Sequence, residues 1–186
     1  SVLSYLLVSY YAERASSRRA AQQALMVTAL GGLSMLMGII LLGRQTGAWT
    51  FSEIAAYEDF AQTPYVTVAI VLILVGALTK SAIVPAHFWL PGAMAAPTPV
   101  SAYLHSAAMV KAGIYLVARL APSMYEVATW HVVVISLGVF TMLLGGWMAL
   151  KQRDLKLVLA YGTVSQLGFI TSIAAVGSRE AMQAGL

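Results

Sequence analysis

The 186-residue chain is 60% hydrophobic and only 10% charged, where an ordinary soluble domain carries about 25% charged residues. Long, nearly uncharged runs recur, and each apolar run of about 20 residues can cross a hydrocarbon core about 30 Å thick; this excludes a water-soluble globule and predicts a polytopic membrane protein. With no Cys there is no disulfide, thiolate metal site or cysteine nucleophile. No catalytic, cofactor-binding or metal site is read from the few acids, so transport is expected before hydrolysis. The net charge of +4 orients spans in the membrane and is not read as a nucleic-acid surface.

The first apolar run, within residues 1–12, supplies about 17 Å of helix, half of a span, and reads as the remnant of a helix. No cleavable signal precedes it, so the start is expected to be internal. A polar stretch, residues 13–23 with Arg14, Arg18 and Arg19, reads as a loop, and residues 24–42 read as an uninterrupted span. Residues 43–63 read as a second loop, which holds Glu53, Glu58 and Asp59 and accommodates an amphipathic interfacial helix over Ser52–Ala61.

From Pro64 to Pro91 the chain is almost entirely apolar, and as one straight helix it would be about 42 Å long, more than the core needs. Pro85 lies inside this run, lacks a backbone donor and clashes with the carbonyl four residues earlier, which predicts a discontinuous membrane helix broken near Ser81–Pro85. Pro91, Gly92, Pro97 and Pro99 then read as a turn. A span over 99–121 follows, its start primed by Thr98 and Ser101. A short loop at 122–129 leads to spans over 130–150 and 156–176, separated by the polar stretch 151–156, and 177–186 reads as a loop. Alternating sides collects Arg14, Arg18, Arg19, Lys151, Arg153 and Lys156 on one face and Arg44, Arg119 and Arg179 on the other. The positive-inside rule makes 13–23 and 151–156 cytoplasmic and 43–63 external, for a multi-pass protein of the cell membrane. The fold class is all-α, a polytopic membrane helix bundle.

Of the Lys and Arg residues, Lys80 and Lys111 fall deep within spans, each at a cost of about 2.5–3.5 kcal/mol on insertion scales. A carboxylate partner, a water-filled path or a proton-carrier role would account for them; the plainer reading is that each pins helices together through a hydrogen bond. Lys80 lies one turn after Gly76 and beside the break, where freed carbonyls and water could meet it. Lys111 has Ala107, Ala108 and Ala112 around it and Tyr115 one turn on. His105 is about 9 Å before Lys111 along the helix and turned by about 240°, so the two do not share a face, and a relay between them needs water. His105 and His87 read either as proton carriers or as neutral hydrogen-bonded residues, and His131 as a solvated helix end. Lys156 opens the last span, where Tyr161, Thr163, Ser165 and Gln166 form either a wet path leading from it or helix-packing contacts. No Asp or Glu falls inside an expected span, so the buried lysines lack a counter-charge in this chain, which reads as part of something larger.

The stretch LTKSAIVPAHFWLPGAMAAPTPVSAYLHSAAMVKAGIYLVARL, Leu78 to Leu120, resembles the antiporter-like subunits of Mrp cation/proton antiporters and of respiratory complex I. DLKLVLAYGTVSQLGFI, Asp154 to Ile170, resembles the next signature of that family, and SYLLVSYY and ALGGLSMLMG extend the likeness over essentially the whole chain. The resemblance implies an inverted-repeat fold with broken helices. It also implies that Lys80 is the broken-helix lysine, normally paired with a Glu that would lie a few residues before Ser1. His87, His105 and Lys156 match family positions in proton transfer, and Lys111 matches a lysine typical of the large, A-type Mrp subunit. The implied role is the proton-translocating part of a multisubunit antiporter exchanging H+ for Na+ or another monovalent cation, with Lys80, His87, His105, Lys111 and Lys156 moving protons. Other Mrp subunits and membrane lipid are the implied partners, and no cofactor is implied. The alternatives are a proton-pumping subunit of complex I or of a related membrane hydrogenase, and a non-conducting structural subunit.

Overall fold

The computed structural model describes residues 2–11, 13–57, 60, 65–103, 109–124 and 127–176, and every regular element among them is helical. The order is α1 (Val2–Val8), α2 (Ala15–Thr46), α3 (Phe51–Ala56), α4 (Val66–Lys80), α5 (Trp89–Gly92), α6 (Thr98–Ala102), α7 (Met109–Leu120), α8 (Ala128–Leu150) and α9 (Leu155–Ala175). Single 3-10 turns follow α1 and flank α5, at Ser9–Tyr11, Ala86–Phe88 and Ala93–Ala95. The helices Ala15–Thr46, Thr129–Leu150 and Leu155–Ala175 are long and apolar enough to cross a membrane.

The stretch 15–23, expected in a loop, is instead the start of α2. The helix runs for 32 residues, about 48 Å at 1.5 Å per residue. The reason is visible in the spacing of Ser17, Ala20, Ala21 and Ala24, which are buried on one face while the arginines occupy the others. Gly47, with φ 72°, ends the helix and returns its N–H to the Gly43 carbonyl. The interfacial helix is shorter than expected. It covers Phe51–Ala56, starts in a capping box between Thr50 and Glu53, and ends where Tyr57 turns extended; 58, 59 and 61–64 lie outside the described residues.

Helix α4 is the centre of the bundle, with Ala69, Ile70, Ile73, Leu74 and Ala77 almost fully buried between α2 and α7. In lipid the burial of apolar side chains drives little association, and close packing of small residues takes its place. That packing is present: a Cβ added to Gly38 would lie 2.7 Å from the Ala69 carbonyl oxygen, and one at Gly76 would collide with Met35 and Gly31. Helices α8 and α9 form the second tight pair, joined through Gly138, Gly145 and Gly168, and α9 also packs on α7.

After α4 the chain leaves helical geometry over residues 81–85, as Pro85 predicts, and resumes in the 3-10 turn at Ala86. Pro91 and Gly92, expected in the following turn, are part of α5, and helical turns continue to Ala95. Pro91 is tolerated there because the first N–H groups of a helix have no partner to lose. Thr98 and Ser101 do not cap α6. Pro97 is the cap residue, and the Ser101 hydroxyl reaches back to the Ala96 and Pro97 carbonyls at 3.3 and 3.2 Å. Residues 104–108 and 177–186 lie outside the described residues.

Candidate functional site

The interruption after Lys80 is built as a helix-ending motif followed by side-chain clamps. Ile83 N–H donates to the Leu78 carbonyl at 2.9 Å and Ala82 N–H to the Thr79 carbonyl at 3.3 Å, the paired bonds that close a helix around a left-handed residue. That residue is Ala82, at φ 53°, where glycine is usual. The Trp89 indole N–H adds a second bond to the Thr79 carbonyl at 3.0 Å. The Ser81 hydroxyl donates to the Val110 carbonyl on α7 at 2.9 Å, and Val84 N–H donates to the Thr141 hydroxyl on α8 at 3.0 Å. Gly113 lets α7 approach this closely, since a Cβ there would collide with the Ala77 carbonyl and the Ser81 hydroxyl.

Lys80 is the last residue of α4 and is half-buried. Of the carbonyls at the break, those of Leu78 and Thr79 are taken by Ile83, Ala82 and Trp89. Gly76, one turn earlier, is filled by Met35 and Gly31 of α2 and leaves no opening there. No described residue forms a hydrogen bond or ion pair with the Lys80 side chain. His87 sits in the 3-10 turn beyond the break, with its Nδ1 buried and unpartnered among the described residues.

Lys156 is half-buried at the start of α9 and lines a cavity of about 270 Å³ with Met94, Thr98, Ser101, Leu159 and Thr163. Asp154 caps the helix by accepting from Lys156 N–H at 2.9 Å, which fixes the first turn that carries the lysine. Of the four polar residues expected along a path, Thr163 shares the Lys156 face, two turns on. Ser165 lies on the opposite face and donates to the Met142 carbonyl on α8 at 2.8 Å, a packing contact, and Gln166 is exposed.

Lys111 stands on the outer face of α7 with Tyr115 and Arg119, away from Val110, Gly113, Ile114 and Val117, which pack inward. It therefore does not line the interior of this chain. His105, Ala107 and Ala108 lie outside the described residues. Lys80, His87, Lys111 and Lys156 thus occupy separate settings rather than one hydrogen-bonded cluster.

The whole chain, residues 1–186, matches the family described as NADH:quinone oxidoreductase/Mrp antiporter, TM. The chain belongs to this family. Among its relatives in the NADH:quinone oxidoreductase/Mrp antiporter family, the Na(+)/H(+) antiporter A-type subunit of Bacillus subtilis (strain 168) is 48% identical over 185 residues, covering 96% of this chain and 22% of that protein. A probable K(+)/H(+) antiporter A/B-type subunit of Rhizobium meliloti (strain 1021) is 48% identical over 179 residues, covering 96% of this chain and 18% of that one. The structure of the Mrp complex from Dietzia sp. DQ12-45-1b contains a chain that matches with a TM-score of 0.92 at 42% identity, covering 99% of this chain and 20% of that one. The membrane-bound sulfane sulfur reductase, an archaeal respiratory membrane complex, matches with a TM-score of 0.89 at 26% identity, covering 99% and 38%. This chain therefore spans about a fifth of the length of those curated relatives. The expected all-α antiporter-like architecture is the fold of this family member.

The clamps on the break are not among the functional residues that the sequence suggests. Ser81 and Trp89 lie close enough to Pro85 to signal such a role, since a broken helix must satisfy its carbonyls somewhere. Thr141 carries no such signal, being 57 residues away from Val84 in the chain.

Proposed function

We propose that this chain is the proton-translocating part of a multisubunit antiporter that exchanges a monovalent cation for protons. The observation that carries the reading is Lys80: a lysine ends a helix interrupted inside an apolar bundle, without a described acidic partner. The names of the relatives support it, since both are antiporter subunits. Because one name gives Na(+) and the other K(+), the reading is kept at the level of a monovalent cation.

Lys80 is assigned as the charge whose displacement toward and away from an acid drives proton entry. Lys156, with Ser101 and Thr163 beside it, leads protons along the α9 cavity. His87, His105 and Lys111 pass them laterally, with Lys111 facing whatever element covers the outer side of α7. The partners are the other subunits of an Mrp-type complex and the surrounding lipid. The basic end of α2 and the 151–156 connection are assigned to the cytoplasmic side, and 43–63 to the outside. The activity is secondary transport, with no covalent step.

The test uses the full-length protein in its assembled complex, in everted membrane vesicles, reading the collapse of a pH gradient when the cation is added. Lys80→Ala is expected to slow this exchange about a hundredfold, the scale on which a positioned proton-transfer group acts. Exchange at the wild-type rate would overturn the assignment. The likeness to an archaeal respiratory complex favours a second reading, a redox-driven proton pump, and it predicts proton movement that needs an electron donor and ignores the cation gradient.

A further inference from the structure

We propose that Thr141 is a positioning residue that registers the interrupted helix, and with it Lys80, against the α8–α9 pair that carries Lys156; the proposal rests on the proton-transfer reading above. Thr141 is fully buried in the middle of α8. Its one hydroxyl hydrogen goes to the Leu137 carbonyl of its own helix at 2.6 Å, the ordinary back-bond of a threonine in a helix. What that back-bond leaves is an oxygen lone pair aimed outward. Val84 N–H occupies it at 3.0 Å.

The pairing is specific to what each side lacks. Val84 follows the end of α4, so its amide has no carbonyl four residues back in a continuing helix, and Pro85 beside it has no N–H at all. At the depth of a bilayer core, water is not there to take the amide, and a side-chain oxygen must. Thr141 supplies that oxygen from a backing that cannot yield. A Cβ added to Gly168 of α9 would lie 3.1 Å from the Thr141 Cβ and 2.6 Å from both the Gly138 oxygen and the Met142 nitrogen. The Ser165 bond to the Met142 carbonyl at 2.8 Å ties the same turns together. Helix α4 itself packs little on α8, so this bond is the direct tie between the break and the α8–α9 pair and adds to the indirect one through α7 in setting the height of the break. Lys80 lies four residues before Val84, and Lys156 opens α9; the threonine therefore fixes the offset between the two lysine-bearing elements.

The test compares Thr141→Val, which keeps the shape and removes the acceptor, with Thr141→Ser, which keeps the hydroxyl, in the full-length protein within its complex. Hydrogen–deuterium exchange over residues 81–88 reads the Val84 amide, and cation-driven collapse of a pH gradient in everted vesicles reads turnover and the apparent KM for the cation. T141V is expected to speed exchange of that segment about tenfold, the scale of one lost hydrogen bond. It is also expected to lower turnover several-fold with the apparent KM unchanged, while T141S stays close to wild type in each measurement. If T141V does not assemble, Thr141→Ala is held to the same expectations. Exchange as slow as wild type in the hydroxyl-free variant, or no rescue by T141S, overturns the proposal. Lys80→Ala run alongside separates the two readings: unchanged transport in K80A removes the proton-transfer reading, whereas loss in K80A with unchanged turnover in T141V removes only the role of Thr141.

Discussion

Along α8 and α9 the backbone bonds run within each helix and the two helices meet glycine against backbone, whereas around the interruption local turns are supplemented by side-chain bonds: Val84 N–H goes to Thr141, the Thr79 carbonyl also accepts from Trp89, and the Ser81 hydroxyl reaches the Val110 carbonyl. The first region needs only its own regularity and small residues at Gly138, Gly145 and Gly168. The second uses Ser81 of the break itself, Trp89 beyond it and Thr141 of α8. The difference shows how a helix can be interrupted inside an apolar bundle: the Val84 amide, which no helix continues to pair, finds a side-chain oxygen on a helix far along the chain, and the last carbonyls of α4 are closed by local turns and Trp89. It follows that the continuous pair is sensitive mainly to added bulk, and the interrupted helix both to bulk and to the loss of a single donor or acceptor.

The largest effect is expected where both sensitivities meet. Gly113→Val drives a branched side chain into the Ala77 carbonyl and the Ser81 hydroxyl and should cost about 3 kcal/mol or more through overpacking and loss of the Ser81 bond. A thermal unfolding scan of the purified complex in detergent checks it. Gly162→Ala on α9, where nothing lies within 4 Å of the added Cβ, should be neutral or mildly stabilising. If Gly113→Val unfolds no earlier than Gly162→Ala, the close approach of α7 to the break does not limit stability.

A smaller effect separates lost donors. Trp89→Phe keeps the ring buried but removes the second bond to the Thr79 carbonyl, for a loss of about 1–2 kcal/mol. Ser165→Ala in the continuous pair removes an added bond to a carbonyl within a regular helix, for about 0.5–1 kcal/mol. Chemical denaturation of the two variants side by side gives the ranking, and the reverse order would contradict the comparison.

The smallest effect lies outside both regions, at the α3 cap. Backbone N–H groups of Trp49 and Thr50 donate to the Glu53 carboxylate and hold its pKa below the usual value. A depressed carboxylate contributes its stabilisation above the unfolded-state pKa and loses it as pH falls through the folded one. Helix α3 should therefore stay capped at neutral pH and fray in acid below the ordinary glutamate range. Fluorescence of Trp49, in a background with the other tryptophans replaced, should report that transition, and Glu53→Gln should abolish it. With the cap but not the spans affected, the bulk helicity should stay constant.

The break is legible in the sequence because Pro85 imposes it within a run too long for one straight span, and the membrane class because so few residues carry charge. The long start of α2 is harder to see. Hydropathy places residues 13–23 in water, and only the period of Ser17, Ala20, Ala21 and Ala24 shows that small residues there face neighbours while Arg14, Arg18 and Arg19 stay outside. The polar residues of α9 look like one group in the sequence, but Thr163 and Ser165 lie on opposite faces and do different work. The setting of Lys111 depends on which side of α7 is packed, which a span of uniform hydropathy does not encode. The Thr141 contact is beyond local sequence, because a hydrogen bond across 57 residues is a property of the assembled bundle.

Ala82 carries a consequence of its own in terms of handedness. Its positive φ costs an L-residue about 1–2 kcal/mol that glycine would not lose, yet its methyl group is completely buried, and emptying that space would forfeit about 1 kcal/mol of packing. The two demands nearly cancel in Ala82→Gly, so neither natural choice satisfies both. A mirror-image alanine separates the two demands: a D-residue takes the left-handed backbone without strain, but its methyl occupies the place of the Cα hydrogen and vacates the present buried site, so semisynthesis with D-alanine should stabilise the interruption no more than Ala82→Gly does.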